Sequence, residues 1–535
     1  MLCAKPRLLL ALAVSAALAG CTKDPATPEH WAGRVKDARR TQDKVRVFDD
    51  LRASGKANAS FVPFLRERLK EEKRPETRAA VARVLGELKD PSTVQALADA
   101  VDLGATDAET AGLNKAIAQA MVQIGGSAGV PTLLRMLKAK DGIVQVEAIS
   151  ALGALRAKEA VDPLVEKAKD DTIEPFIIKK SIQALGDIGD PRAVPVLVRR
   201  MFQPHPRGQQ FYGEASFALF QIGPPAADAV LPVLRGQDAA LRSWAQEKGI
   251  SEAALYSKAA QMMGDLQDQR AEPDLLKRFT EKGDPEQQVY VRLTASDALG
   301  KLRSKGAVRP LAGSLGSEEP VEREKYCWAL ARIGGRDAIP ALSKAAATGV
   351  WPSRQPALAA IGLLGDERDR AAVEKLKAEE AARTVKECSD WPEVAGCGDP
   401  KLAAQKHQAE IDGWVKALEA ARECSADAAC WAKKLEDGSP QVRQRAALEL
   451  GRAGQAGSTS TLLRHLADES LEVRQATIQA LDWLIEGSKD AEKQALAELE
   501  KIDQRLESDR GKMELVKANE DLRRLSARLH RRKGA

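Results

Sequence analysis

The chain has 535 residues, of which 44% are hydrophobic but only 4% aromatic. That length exceeds a usual domain several-fold, and so few aromatic rings exclude a handful of large ring-filled cores in favour of many small contacts between alanine- and leucine-rich helices. The formal charge of +5 falls to 5 − 2 = +3 once Lys5 and Arg7 of a removable leader are discounted, a balance that argues against a nucleic-acid partner.

That leader is the first predicted element. Lys5 and Arg7 precede the run Leu8 to Ala19, which ends at Gly20 and Cys21, the charged, apolar, small-residue order of a secretory signal over residues 1–20. A run of twelve residues is too short for a bilayer core that needs about 20. Leu18-Ala19-Gly20-Cys21 resembles the lipobox of bacterial lipoproteins. The resemblance implies a lipid on the Cys21 thiol, cleavage just before it, and contact with a membrane through that anchor. Thr22 in place of Asp implies, by the sorting pattern of such lipoproteins, the outer membrane of a Gram-negative cell with the body facing the periplasm. Residues 21–30 are a short tether, and 31–75, from Trp31 on, read as a degenerate first unit that caps the helical array after it.

From residue 76 a pattern repeats. "RVLGELKDPSTVQALA", "SALGALRAKEAVDPLV", "QALGDIGDPRAVPVLV" and "DALGKLRSKGAVRPLA" share one register, with a small residue inside an apolar stretch and a second apolar stretch after a corner. The small-residue position falls at Gly86, Val122, Gly153, Gly186, Phe220, Gly264, Gly300, Ala331, Gly362, Gly451 and Asp482, mostly 31 to 36 residues apart, the period of a solenoid. Each unit reads as two helices. At the corner after Gly186, Gly189 suits a left-handed helix end, Asp190 an N-cap and Pro191 a first turn, while Pro195 lies further in and is expected to bend its helix. A phosphate-binding loop is excluded, since no strand precedes the glycines and no Lys-Ser or Lys-Thr pair follows them. Glycine inside a helix costs about 1 kcal/mol relative to alanine, so its recurrence implies close approach of neighbouring helices.

Eight residues before the small position an Arg stands in six units, at Arg78, Arg292, Arg323, Arg354, Arg443 and Arg474, several with an acid just upstream, as Asp437 precedes Arg443 and Asp468 precedes Arg474. Together with the corner, this resembles the HEAT repeat, in particular the short bacterial form named after phycobilisome lyases. The resemblance covers roughly Glu76 to Gly487 and implies an all-α, right-handed α-solenoid of about eleven HEAT-like helical hairpins. It also implies that Arg78, Arg292, Arg323, Arg443 and Arg474, with acids such as Asp437 and Asp468, form a ladder between successive units. Arg354 follows Trp351-Pro352-Ser353 with no acid nearby and does not fit the ladder. At helix-packing spacings of about 8 to 10 Å, such an array is a curved rod on the order of 100 Å long with an extended concave face. That face is expected to be lined by the helices leading into the small position, with the helices after the corner outside.

Two insertions interrupt the first block of repeats, 76–377. "MFQPHPRGQQFYG" (Met201 to Gly213) carries His205, Phe211 and Tyr212, which are candidates for an exposed aromatic anchor; tolerated loop growth is the other reading. Arg235 to Lys258 lengthens another unit. The register then breaks over 378–437, a helical insertion with Cys388, Cys397, Cys424 and Cys430. In an oxidising compartment these form two disulfides, with short loops favouring Cys388–Cys397 and Cys424–Cys430; zinc is the competing reading, although neither gap is the two to four residues of a structural site. Cys327 lies within a repeat helix as a packing residue. The five histidines are isolated, and no hydrolase, metalloprotease or nucleotide-binding motif occurs, so neither a metal nor another cofactor is expected. Repeats resume over 438–487, and 488–535 reads as a capping helical hairpin whose basic tail either is solvated or touches anionic headgroups.

These elements lead to a lipid-anchored scaffold that binds a protein or peptide on its concave face. The alternatives are a lyase-related enzyme and a binder of anionic envelope lipid or polysaccharide through the basic hairpin. Neither the identity of the partner nor the oligomeric state is written in the sequence.

Overall fold

The computed structural model describes residues 24–317, 319–390, 398–509 and 511–534, and every regular element among them is helical. The chain forms two compact units, one up to Ala218 and one from Leu219. Within each, helical hairpins stack side by side as an all-α solenoid.

The helices that carry the small-residue position form one layer. In the first unit they are α1 (Pro75–Leu88), α2 (Ala108–Ile124), α3 (Gly142–Ala154) and α4 (Pro175–Ile188). In the second they are α5 (Glu252–Leu266), α6 (Pro285–Lys301), α7 (Pro320–Ile333), α8 (Trp351–Leu364), α9 (Pro400–Cys424), α10 (Pro440–Ala453) and α11 (Leu471–Gly487), followed by a last helix, α12 (Val516–Gly534). Within a unit each packs on the next, from α1 to α4 and from α5 to α11. Most of the shorter helices between them make a second layer. Pro28–Asp37, Thr41–Ser54 and Val62–Glu71 precede α1 and bury Trp31, Phe48 and Phe61; helix begins three residues ahead of the expected Trp31.

Small residues recur because the helix backbones nearly touch. A Cβ on Gly264 would lie 2.7 Å from the Ala298 Cα, and one on Gly451 2.7 Å from the Ala480 Cα, closer than real contacts allow. The corner follows the expected chemistry after α4. Gly189 ends the helix at φ 75°, and the Asp190 carboxylate accepts from the Arg192 N–H at 2.9 Å. Pro191 opens a 3-10 turn, Pro191–Ala193, and the next helix is Val194–Phe202. Pro195 therefore stands in a first turn, where no N–H is needed, and does not lie deep enough to bend the helix as expected.

The helical insertion over 378–437 continues the layer. Glu367–Asp390 and α9 form one long hairpin, and α9 sits in the layer between α8 and α10. Gly362 of α8 faces Trp414 of α9, and Gly413 of α9 faces Gln441 at the start of α10. A disulfide joins Cys424 to Cys430 across the turn after α9, with Cα atoms 5.2 Å apart. Cys388 is buried, but Cys397 lies outside the described residues, as does Cys21.

Candidate binding cavity of the second unit

The insertion expected to expose an aromatic anchor folds inward instead. Phe211 is 0% and His205 2% exposed, while Tyr212 is half-buried at the start of the helix Tyr212–Ile222. His205 Nδ1 accepts from the Arg207 N–H at 3.1 Å, which leaves Nε2 to donate to the Asp171 carbonyl at 3.1 Å. The Phe211 ring lies beside that imidazole and 5.5 Å from the guanidinium carbon of buried Arg200. Burying such a ring is worth about 1.5–3 kcal/mol, more than a short loop gains by holding it in water.

The arginine register makes a ladder between successive units at some of its positions. Arg443 donates to both carboxylate oxygens of Asp468, at 2.9 Å each, and to the main-chain carbonyl of Asp437 at 2.9 Å. Arg443 thus reaches forward to an acid of the next unit. The upstream acid offers its own Arg only a carbonyl, because its carboxylate caps the following helix: Asp437 accepts from the Ser439 N–H at 2.9 Å. Arg474 repeats the pattern, bonding the Asp468 carbonyl and lying 3.5 Å from Asp509. Arg292 pairs with Glu322 at 2.7 Å, whereas Arg78 donates to the carbonyls of Leu69 and Ala100 and Arg323 to those of Ser317 and Thr348. Arg354, set apart in the sequence, is 1% exposed and ion-paired with Glu380 at 2.6 Å and with Glu387, both from the long helix after it.

The second unit also closes on itself. Arg452 at the end of α10 donates to the Ala331 carbonyl of α7 at 2.7 Å, and Arg303 just past α6 stacks 4.7 Å over the Trp483 ring of α11. The last helix, α12, packs on α11 through buried Leu522, Leu525 and Leu529. Three of its arginines turn into the unit. Arg528, 3% exposed, donates to Glu486 at 2.6 Å and to Gln267 at 3.3 Å, Arg531 donates to the Phe220 carbonyl at 2.7 Å, and Arg532 to Glu486 at 2.6 Å. Lys512, Lys517, Arg523 and Lys533 stay exposed. The layer of this unit lines a cavity of about 270 Å³.

Residues of one helix face line it, as the spacing of Gln475, Gln479 and Asp482 on α11 illustrates. On one side lies a chain of ion pairs: Asp265–Lys301 at 2.6 Å, Lys301–Asp297 at 2.8 Å and Asp297–Arg332 at 2.5 Å. Burial opposes the charge on Asp297, but Lys301 and Arg332 outweigh it and hold the carboxyl far below the usual range. Burial likewise opposes the Lys301 ammonium, and Asp265 and Asp297 outweigh it, holding its pKa high. Asp482, which stands where other units have glycine, has its carboxyl pushed up, since burial outweighs the Arg528 charge. This departure from the repeat was visible in the sequence; its partners were not.

Part of the lining is uncommitted. Gln444 of α10 is 6% exposed, and among the described residues its amide has no hydrogen-bond partner. Gln475 and Gln479 of α11 also lack partners, as does the indole N–H of Trp328 of α7, and Leu363 and Leu448 complete an apolar wall. A row of amides open to the cavity can hydrogen-bond an occupant. Among the described residues no group of three His, Cys, Asp or Glu side chains is placed to hold a metal, and no helix is long and apolar enough to cross a membrane. Cys327 is fully buried, and desolvation pushes its thiol up to about 12.

Residues 104–177, 130–210 and 430–509 match the family described as HEAT repeats, and residues 77–102 the family described as PBS lyase HEAT-like repeat. These segments are HEAT repeats. They lie in both units and include α10 and α11 of the cavity. Over 87 residues the chain is 40% identical to the phycocyanobilin lyase subunit alpha of a Picosynechococcus species, a match covering 16% of this chain and 32% of that protein, about a third of its length. Among solved structures it resembles importin beta in a polyethylene glycol condition, with TM-score 0.49, 13% identity, and 98% of this chain and 72% of that one covered. Yeast importin-beta gives TM-score 0.44 at 12% identity, with 94% and 73% covered.

Proposed function

We propose that the chain is a HEAT-repeat scaffold, anchored through a lipid on Cys21 and facing the periplasm, that holds a segment of a partner protein in the cavity of the second unit. The observation that carries the binding reading is Gln444: a side chain 6% exposed, with no hydrogen-bond partner among the described residues, on the wall of a cavity. Its amide is open to the cavity, where a bound partner would supply hydrogen bonds. The leader and Cys21 support the anchor. A photo-crosslinking residue at Gln479 should capture a partner chain in cells, and one at exposed Lys493 should not. Equal capture at both positions, or none at Gln479, overturns the reading.

A second reading, a lyase-related enzyme, is favoured by the local identity to a lyase subunit. It requires chemistry on a bound substrate, and turnover lost on replacing cavity residues would support it.

A further inference from the structure

The cavity's uncommitted groups specify more than a partner. Its volume of about 270 Å³ lies just under the roughly 300–1,000 Å³ of small-ligand sites and cannot admit a helix about 10–12 Å across. A few residues of extended chain, or a molecule of that size, suit this volume. Gln444, Gln475 and Gln479 each offer an acceptor and a donor without a partner, which is the complement of an amide group. Trp328 offers a flat apolar surface and an open N–H. The lining also holds two cations outside the ion-pair chain, Lys325 of α7 and Lys517 of α12, neither in an ion pair among the described residues. They are close enough to interact: desolvation, then the charges of Lys325 and Arg332, depress the Lys517 ammonium against the pull of Asp521 and Asp297. A site of this kind favours an anion. Glu324 and Glu472 line the cavity as well, the latter accepting from the Ser470 hydroxyl, and they disfavour a second negative charge.

We infer that the cavity takes an amide-bearing monocarboxylate, with its amide on Gln444, Gln475 and Gln479, its side chain against Trp328 and its carboxylate on Lys325 and Lys517. A peptide's C-terminal end and a free acylated amino acid or dipeptide share this chemistry. The inference rests on the cavity being the partner's site.

The test is calorimetric titration of the mature full-length chain with N-acetyl-alanyl-leucine, with the same compound amidated at its carboxyl, and with a folded carrier protein ending in Ala-Leu. The free acid should bind at least about tenfold more tightly than the amide, the value of one charge-assisted contact. Lys325→Ala with Lys517→Ala should erase that preference, and Gln444→Leu with Gln479→Leu should weaken both ligands. Lys517 is exposed, so its replacement leaves the fold intact, and thermal melting checks the glutamine pair. Binding of the carrier as well as the free acid identifies a chain end; binding of the free acid alone identifies a small molecule. No binding of either acid at about 10 mM, a level that detects even weak ligands, or equal binding of acid and amide, overturns the inference. If Gln479 still crosslinks to a partner protein while both acids fail, only the ligand class falls and the scaffold reading stands.

Discussion

Gln267 Nε2 donates to Asp482 Oδ2 at 3.2 Å although the two residues are 215 positions apart in the chain. Gln267 sits at the end of α5, Asp482 in α11, and Arg528 of α12 reaches both. This three-way junction closes the second unit and turns its inner layer into a cavity wall.

The junction should show in the pH dependence of stability. The Asp482 carboxyl is held above the usual range because burial outweighs the Arg528 charge. The folded state therefore holds this proton more tightly than the unfolded chain, whose value is about 3.9. The group's contribution is present at low pH and lost as pH rises through the folded value. Asp482→Asn should match wild type in melting temperature at low pH and exceed it above that window. A variant less stable at neutral pH would show that the pair with Arg528 outweighs burial.

Arg443→Ala removes two charge-assisted bonds to Asp468 and one to the Asp437 carbonyl from a side chain that is buried. Denaturant unfolding should show a loss of about 1–3 kcal/mol. Arg443→Lys should recover only part of it, because an ammonium cannot engage both carboxylate oxygens as the planar fork does.

Gly264→Ala places a methyl 2.7 Å from the Ala298 Cα. Helix propensity favours the change by about 1 kcal/mol, but overpacking costs about 1–3 kcal/mol, so the melting temperature should fall. A rise would mean that α5 and α6 separate freely.

Phe211→Ala should destabilise the first unit by about 3–5 kcal/mol, the cost of removing a buried ring. Capture of a partner by a crosslinker at Gln479 should persist at temperatures where that unit stays folded. A silent effect on stability with lost capture would restore the aromatic loop as a binding anchor.

Metabolic labelling with a fatty acid should mark the wild-type chain and fail in Cys21→Ser, with residues 1–20 missing from the mature protein. Label that persists in the variant would place the lipid elsewhere or remove it from the account.

What could be read without a structure is what depends on a few neighbouring residues. The helical repeat, the Gly189–Asp190 corner, the close helix approach and the six-residue span between Cys424 and Cys430 are all short-range matters of backbone preference and spacing. Local reading failed where the chain met itself at a distance. Phe211 appeared to stand in a polar, proline-rich loop, yet its ring is taken up by Arg200 and His205. The partners of Arg354 lie on the following helix, 26 and 33 residues along the chain. Of the cavity, only the substitution of Asp482 for a glycine was legible. Its closure follows from small rotations between successive helix pairs, each set by side-chain packing and summed from α5 to α11, and no single repeat encodes that sum. The repeat pattern determined that the inner helices would share a layer; the accumulated curvature decided that Gln267 meets Asp482 and that α12 supplies the last wall.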